Sequence, residues 1–144
     1  MAAIHRLFAV YLLLVGVAVG AYFVISPLYA GQGNLADASE VWDILNWFMA
    51  VAAVLLVLIT FVGTRSLADD ASGWDKFVAY GRFHLAVALL LGFLNNWFAS
   101  QWGEGGFEPI GFVWVLVNTA MSILAVEMAI KLWREPHAPF GARD

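Results

Sequence analysis

VWDILNWFMAVAAVLLVLITFVG, residues 41–63, is the stretch whose reading decides the fold. It carries one charge, Asp43, near its start and then runs without another to Gly63. A helix of about 20 apolar residues crosses the ~30 Å hydrocarbon core of a bilayer, whereas a buried helix of a small soluble domain is shorter. Three further runs of this kind fall at residues 7–25, 77–98 and 110–133. The chain therefore predicts an all-α membrane protein, a single domain over residues 1–144 built as a four-transmembrane-helix bundle with short connections.

Composition points the same way. The 144 residues are 62% hydrophobic and 12% charged, with a mean hydropathy of +0.81, and a soluble domain carries about a quarter charged residues. The first run is preceded by His5 and Arg6 and followed by LYAG, as a signal peptide would be, but its apolar stretch is too long for one and reads as a retained span. A net charge of −4 leaves no basic surface for nucleic acid. With no cysteine, disulfides, thiolate metal sites, cysteine-ligated iron–sulfur clusters and four-helix enzymes that work through paired cysteines are excluded.

Charge sets the expected topology. Arg6, Arg65, Lys76, Arg82, Lys131, Arg134 and Arg143 fall at the N-terminus, in or beside the second connection, or at the C-terminal end. The first and third connections carry only Asp37, Glu40, Glu104 and Glu108. By the positive-inside rule both termini are expected to be cytoplasmic, in a bacterial cytoplasmic membrane. Trp42, Trp47, Trp97 and Trp102 are expected at the outer interface, and Trp74 and Trp133 at the inner one. Ser26 and Pro27 are expected to close the first helix, Asp37 with Glu40 to cap the second, and Pro109 to open the fourth.

Helical spacing gathers small and polar residues into stripes. Asn46, Ala50, Ala53 and Thr60 share a face of the second span; Gly81, His84, Ala88, Gly92 and Asn95 share one of the third; Asn118, Ser122, Ala125 and Ala129 share one of the fourth. Gly16 and Gly20 form a small-xxx-small pair in the first. Small residues let helices approach closely and polar ones bond across them, so all four stripes are expected to face inward. Asn46, Asn95 and Asn118, with Asn96 beside them, would then form a polar rim near the outer mouth, with Trp47 and Trp97 pointing to the interface. On this reading Gly92→Leu disrupts the bundle more than Leu90→Ala.

Ionisable residues concentrate toward the other end. Glu127 lies off the fourth helix's stripe and needs a partner within the membrane. Lys131, one turn on, is the first candidate; Arg82, His84 or another subunit are the alternatives, and Arg82 is favoured over His84 because it too lies off its stripe. Tyr80, one turn before His84, is placed to orient the imidazole. No cofactor is predicted: His84 can ligate haem or a chlorophyll-type magnesium, but bis-histidine haem needs two embedded histidines and this chain has one, so ligation would require a partner chain.

No phosphate loop, nucleophile elbow, zinc-binding HExxH or catalytic carboxylate pair is present, so no catalytic residue or metal site is assigned and enzymatic activity is not expected. The leading functional expectation is an accessory or structural subunit of a larger membrane protein complex, in contact with membrane lipids and other integral membrane subunits. The alternative is a small homo-oligomeric transporter or channel using the asparagine rim. The third is a cofactor- or pigment-binding protein using His84.

Overall fold

A computed structural model describes residues 2–30, 35–102 and 110–134. They form four helices: α1 Ala2–Ala30, α2 Leu35–Arg65, α3 Gly73–Trp102 and α4 Gly111–Arg134. Even α4, with 24 residues, is about 36 Å long at 1.5 Å per residue, enough to cross the hydrocarbon layer. All four helices are long and apolar enough to span a membrane. The chain is a small integral membrane protein, an all-α four-helix bundle.

The helices outrun the apolar stretches that announced them, and two expected ends move. α1 continues through Pro27 to Ala30; near a helix end, a proline forfeits one backbone bond and the helix can proceed. α2 begins at Leu35, which puts Asp37 inside its first turn rather than at its cap. Pro109 lies outside the described residues. The start of α3 is capped by Ser72: the Asp75 N–H donates to Ser72 Oγ at 3.1 Å, and Ser72 Oγ–H donates to Asp75 Oδ2 at 2.7 Å.

α1 packs most closely on α4, and α2 on α3; α1 also meets α2, α3 meets α4, and α2 touches α4 across the bundle. The α1–α4 seam explains why two glycines are spaced four apart in α1. A Cβ at Gly16 would stand 3.1 Å from Ala125 Cβ and 3.2 Å from the Ser122 carbonyl oxygen, and one at Gly20 would stand 3.1 Å from Ser122 Oγ. The core is filled by Leu12, Val19, Met49, Leu56, Phe93, Met121 and Leu124. Tyr11 ties α1 to α2 by donating its hydroxyl to the Phe48 carbonyl at 2.9 Å.

Two of the hydroxyls in these stripes are satisfied within their own helices. Thr60 Oγ1 donates to the Leu56 carbonyl at 2.6 Å, and Ser122 Oγ donates to the Asn118 carbonyl at 2.8 Å. Such bonds to the preceding turn let a hydroxyl sit in an apolar interior without crossing to a neighbour.

The third stripe faces the other way from the expectation. α3 buries Ala86, Leu89, Phe93, Asn96 and Trp97, while Gly81, His84, Ala88 and Asn95 are exposed. At 100° per residue, His84 and Asn95 lie about 20° apart, and Ala86 lies about 200° from His84. Gly92 is half-buried, and a Cβ there would meet Val117 Cγ2 at an ordinary 3.6 Å. Leu90, expected off the packing face, is partly buried against the core. The contrast drawn between Gly92 and Leu90 thus loses its basis.

Candidate functional site

Three regions carry the polar side chains singled out above. At one end of the bundle lie the asparagines. Asn46 on α2 and Asn118 on α4 are both buried, as an inward rim requires, yet the Oδ1 of each lacks a hydrogen-bond partner. No bond joins the two amides, so the lock expected between them is not formed. Asn96, expected only as a neighbour of the rim, is the best-bonded of the four. Its Nδ2 donates to the Ile110 carbonyl at 3.0 Å, and its Oδ1 accepts the Ile110 N–H at 2.8 Å. That same carbonyl accepts the Val113 N–H at 3.0 Å, so Asn96 grips the residue that opens α4.

Trp97 corrects the expected interface belt. It is 6% exposed, against 68% for Trp47. Its ring stacks on Phe93 with centroids 5.4 Å apart and receives Trp47 edge-on at 4.8 Å. The indole's large apolar face is better used here in close aromatic packing than at the headgroups. Trp102, Trp74 and Trp133 are exposed, and Trp42 is half-buried, edge-on to Tyr22 at 5.0 Å.

The second region is the outer face of α3. Asn95 is exposed there and makes no hydrogen bond among the described residues. His84 is also exposed, with Nδ1 2.7 Å from the Tyr80 carbonyl. Because a carbonyl can only accept, Nδ1 carries the proton in this bond, and Nε2 is left for a donor or metal approaching from outside the bundle. The backbone of Tyr80 orients the ring, not its phenol. A Cβ at Gly81 would meet nothing within 4 Å. α3 also buries the smallest share of its apolar window, 17%, against 28% for α1 and 39% each for α2 and α4.

The third region is a cavity of about 910 Å³ at the opposite, basic end. The beginnings of α1 and α3 and the ends of α2 and α4 meet around it, supplying among others His5, Thr60, Val78, Arg82, Glu127 and Lys131. Arg82 Nε donates to Glu127 Oε1 at 2.9 Å, and Arg82 Nη2 donates to the same oxygen. The two side chains are 32% and 41% exposed. Glu127 is therefore answered from α3 rather than by Lys131, which shares the cavity but forms no ion pair among the described residues. His84, exposed on the outer face, is not part of this group.

The cavity was not legible as such in the sequence. Its walls draw on Asp70, in the connection before α3, and on Arg134, which in the sequence serves only to mark topology. That Glu127 needs a partner is legible in the sequence, but the partner is Arg82, given there as an alternative, and not Lys131, the first candidate. Among the described residues no three histidine, cysteine or acidic side chains gather where a metal ion would be held.

No family model, no curated protein and no solved structure matches this chain.

Proposed function

We propose that this protein is a non-catalytic subunit of a larger assembly in a bacterial cytoplasmic membrane, with its basic end toward the cytoplasm, and that a transmembrane helix of a different subunit docks on the outer face of α3. One observation carries the reading: the stripe of Gly81, His84, Ala88 and Asn95 is turned out of the bundle. Small and polar residues gather where membrane helices touch. In α1, α2 and α4 those contacts are made inside this chain, with Gly16, Gly20, Ala53, Ala125 and Ala129 at or near them. In α3 the residues of this stripe are exposed among the described residues.

Left against hydrocarbon, the Asn95 amide and the free edge of the His84 imidazole would each be unfavourable by roughly 2–7 kcal/mol. A partner helix carrying its own donors and acceptors removes that penalty, and the flat surface at Gly81 and Ala88 lets it come close. Short connections and the lack of a catalytic constellation fit a part of an assembly better than a self-sufficient enzyme. The transport alternative leaned on an asparagine rim from which Asn95 is now separated.

Gentle extraction from the native membrane followed by native mass spectrometry tests the proposal. Different polypeptides at a fixed ratio to this chain are expected, and they should be released by the double variant His84→Leu, Asn95→Leu. Particles containing this chain alone, or partners retained unchanged by the double variant, would overturn it.

A further inference from the structure

The two cavities at the basic end meet on α4. Besides the large cavity described above, an apolar groove of about 350 Å³ runs between the start of α1 and the end of α4. Ala9, Val10, Leu13, Ile130 and Trp133 line it, and Arg134 stands in its wall. Ile130 and Arg134 also line the large cavity. A hydrophobic slot and a charged basin are thus joined across one turn of one helix.

The charges at this junction have a definite balance. Of the acids lining the basin, Glu127 is held by Arg82, which leaves the charge of Asp70 and of Asp75, the latter hydrogen-bonded to Ser72. Against these stand Lys131 and Arg134, neither of them in an ion pair among the described residues. The charges are separated in space: both cations are on α4 beside the groove, whereas the two carboxylates belong to the connection before α3 and to its first turn. Trp133, exposed at the same level, has the apolar ring and N–H donor that settle at lipid headgroups.

We propose that the end of α4 holds one anionic phospholipid, with its phosphate at Lys131 and Arg134 and an acyl chain in the groove formed by Val10, Leu13, Ile130 and Trp133. The groove accepts a chain because its walls are apolar. The headgroup is chosen by sign, since a guanidinium and an ammonium attract a phosphodiester that a compensating choline would neutralise. Arg134 is the pivot, being the one cation among the described residues that lines both spaces. This site is independent of the α3 face and of any partner subunit.

The test uses the full chain in mild detergent, titrated with phosphatidylglycerol or phosphatidylcholine of identical acyl chains and read by native mass spectrometry. One phosphatidylglycerol per chain is expected, retained about tenfold more tightly than phosphatidylcholine, with the preference shrinking as salt is raised. Lys131→Gln with Arg134→Gln should bring phosphatidylglycerol down to the level of phosphatidylcholine. Val10→Trp, at an exposed groove position, should weaken both lipids and keep their ratio; circular dichroism confirms that each variant is folded. Equal retention of the two lipids by the unaltered chain, or an unchanged preference in the double variant, would overturn the headgroup assignment without reference to the groove. Displacement of the lipid by millimolar inorganic phosphate, or no effect of Val10→Trp, would overturn the acyl-chain assignment.

Discussion

LNWF at residues 45–48 and LNNWF at residues 94–98 are nearly the same words, and the bundle reads them inside out. In α2 the asparagine goes in and the tryptophan goes out: Asn46 is 6% exposed and Trp47 68%. In α3 Asn95 goes out, and Asn96 and Trp97 go in together. The inserted asparagine supplies the difference. One extra residue turns the face by about 100°, and the second amide finds a backbone partner at Ile110 that the first would not reach. What Asn46 and Trp47 do separately, Asn96 and Trp97 do side by side. A local motif therefore does not fix which way a membrane helix faces; the neighbour that can satisfy it does.

Truncating the tryptophans is the hardest blow to this comparison. Trp97→Ala removes a ring packed between Phe93 and Trp47 and should lower stability by about 3 kcal/mol, the low end for a buried tryptophan because lipid supplies no hydrophobic drive between helices. Trp47→Ala should lower it by about 1 kcal/mol, the worth of one edge-to-face contact. Thermal melts in detergent check the ranking, and equal losses would show that the two motifs are used alike. Asn96→Leu comes next, at about 2 kcal/mol, because it strands the Ile110 N–H where α4 begins. Its expected signature is faster amide exchange at the start of α4, with the rest of the bundle still protected.

The inward and outward stripes can be separated with a single methyl group. Gly16→Ala pushes a Cβ to 3.1 Å from Ala125 Cβ and 3.2 Å from a backbone oxygen that cannot swing aside. A loss of about 1 kcal/mol is expected, with overpacking partly offset by alanine's helix preference. Gly81→Ala places its methyl where nothing stands within 4 Å and should be neutral or slightly stabilising. The reverse order in thermal melts would restore the inward reading of the α3 stripe.

Much of this architecture is legible in the sequence. Four spans follow from the lengths of the apolar runs, because a bilayer of fixed thickness demands them. Glu127's need for a partner follows from a charge that cannot be left in lipid, but the choice of Arg82 over Lys131 does not. Gly16 and Gly20 announce a close seam, and the seam is there against Ser122 and Ala125. What the sequence could not convey was the rotation of α3. In water, hydrophobicity says which face is inside; in lipid both faces are apolar, and the remaining signal, small and polar residues, marks contact without saying whose. His84 and Asn95 were read as core for that reason. The basic-end cavity was hidden for another, since it is assembled from the ends of all four helices and no one stretch contains it.

The smallest expected effect on stability is the one that bears most on the comparison. Asn95→Leu changes an exposed side chain with no hydrogen bond inside the chain, so the melt of the isolated protein should shift by less than about 0.5 kcal/mol. Asn96→Leu, one residue away, should cost about 2 kcal/mol. If the outer face of α3 is a docking face, the order inverts when the partner is counted: co-purification should fall several-fold for Asn95→Leu, while Asn96→Leu should retain its partner at temperatures where the bundle is folded. The pair of measurements distinguishes a residue that holds this chain together from one that holds it to something else. An Asn95→Leu chain that melts early would mean that the amide bonds within the bundle, and that LNNWF points its first asparagine inward as LNWF does.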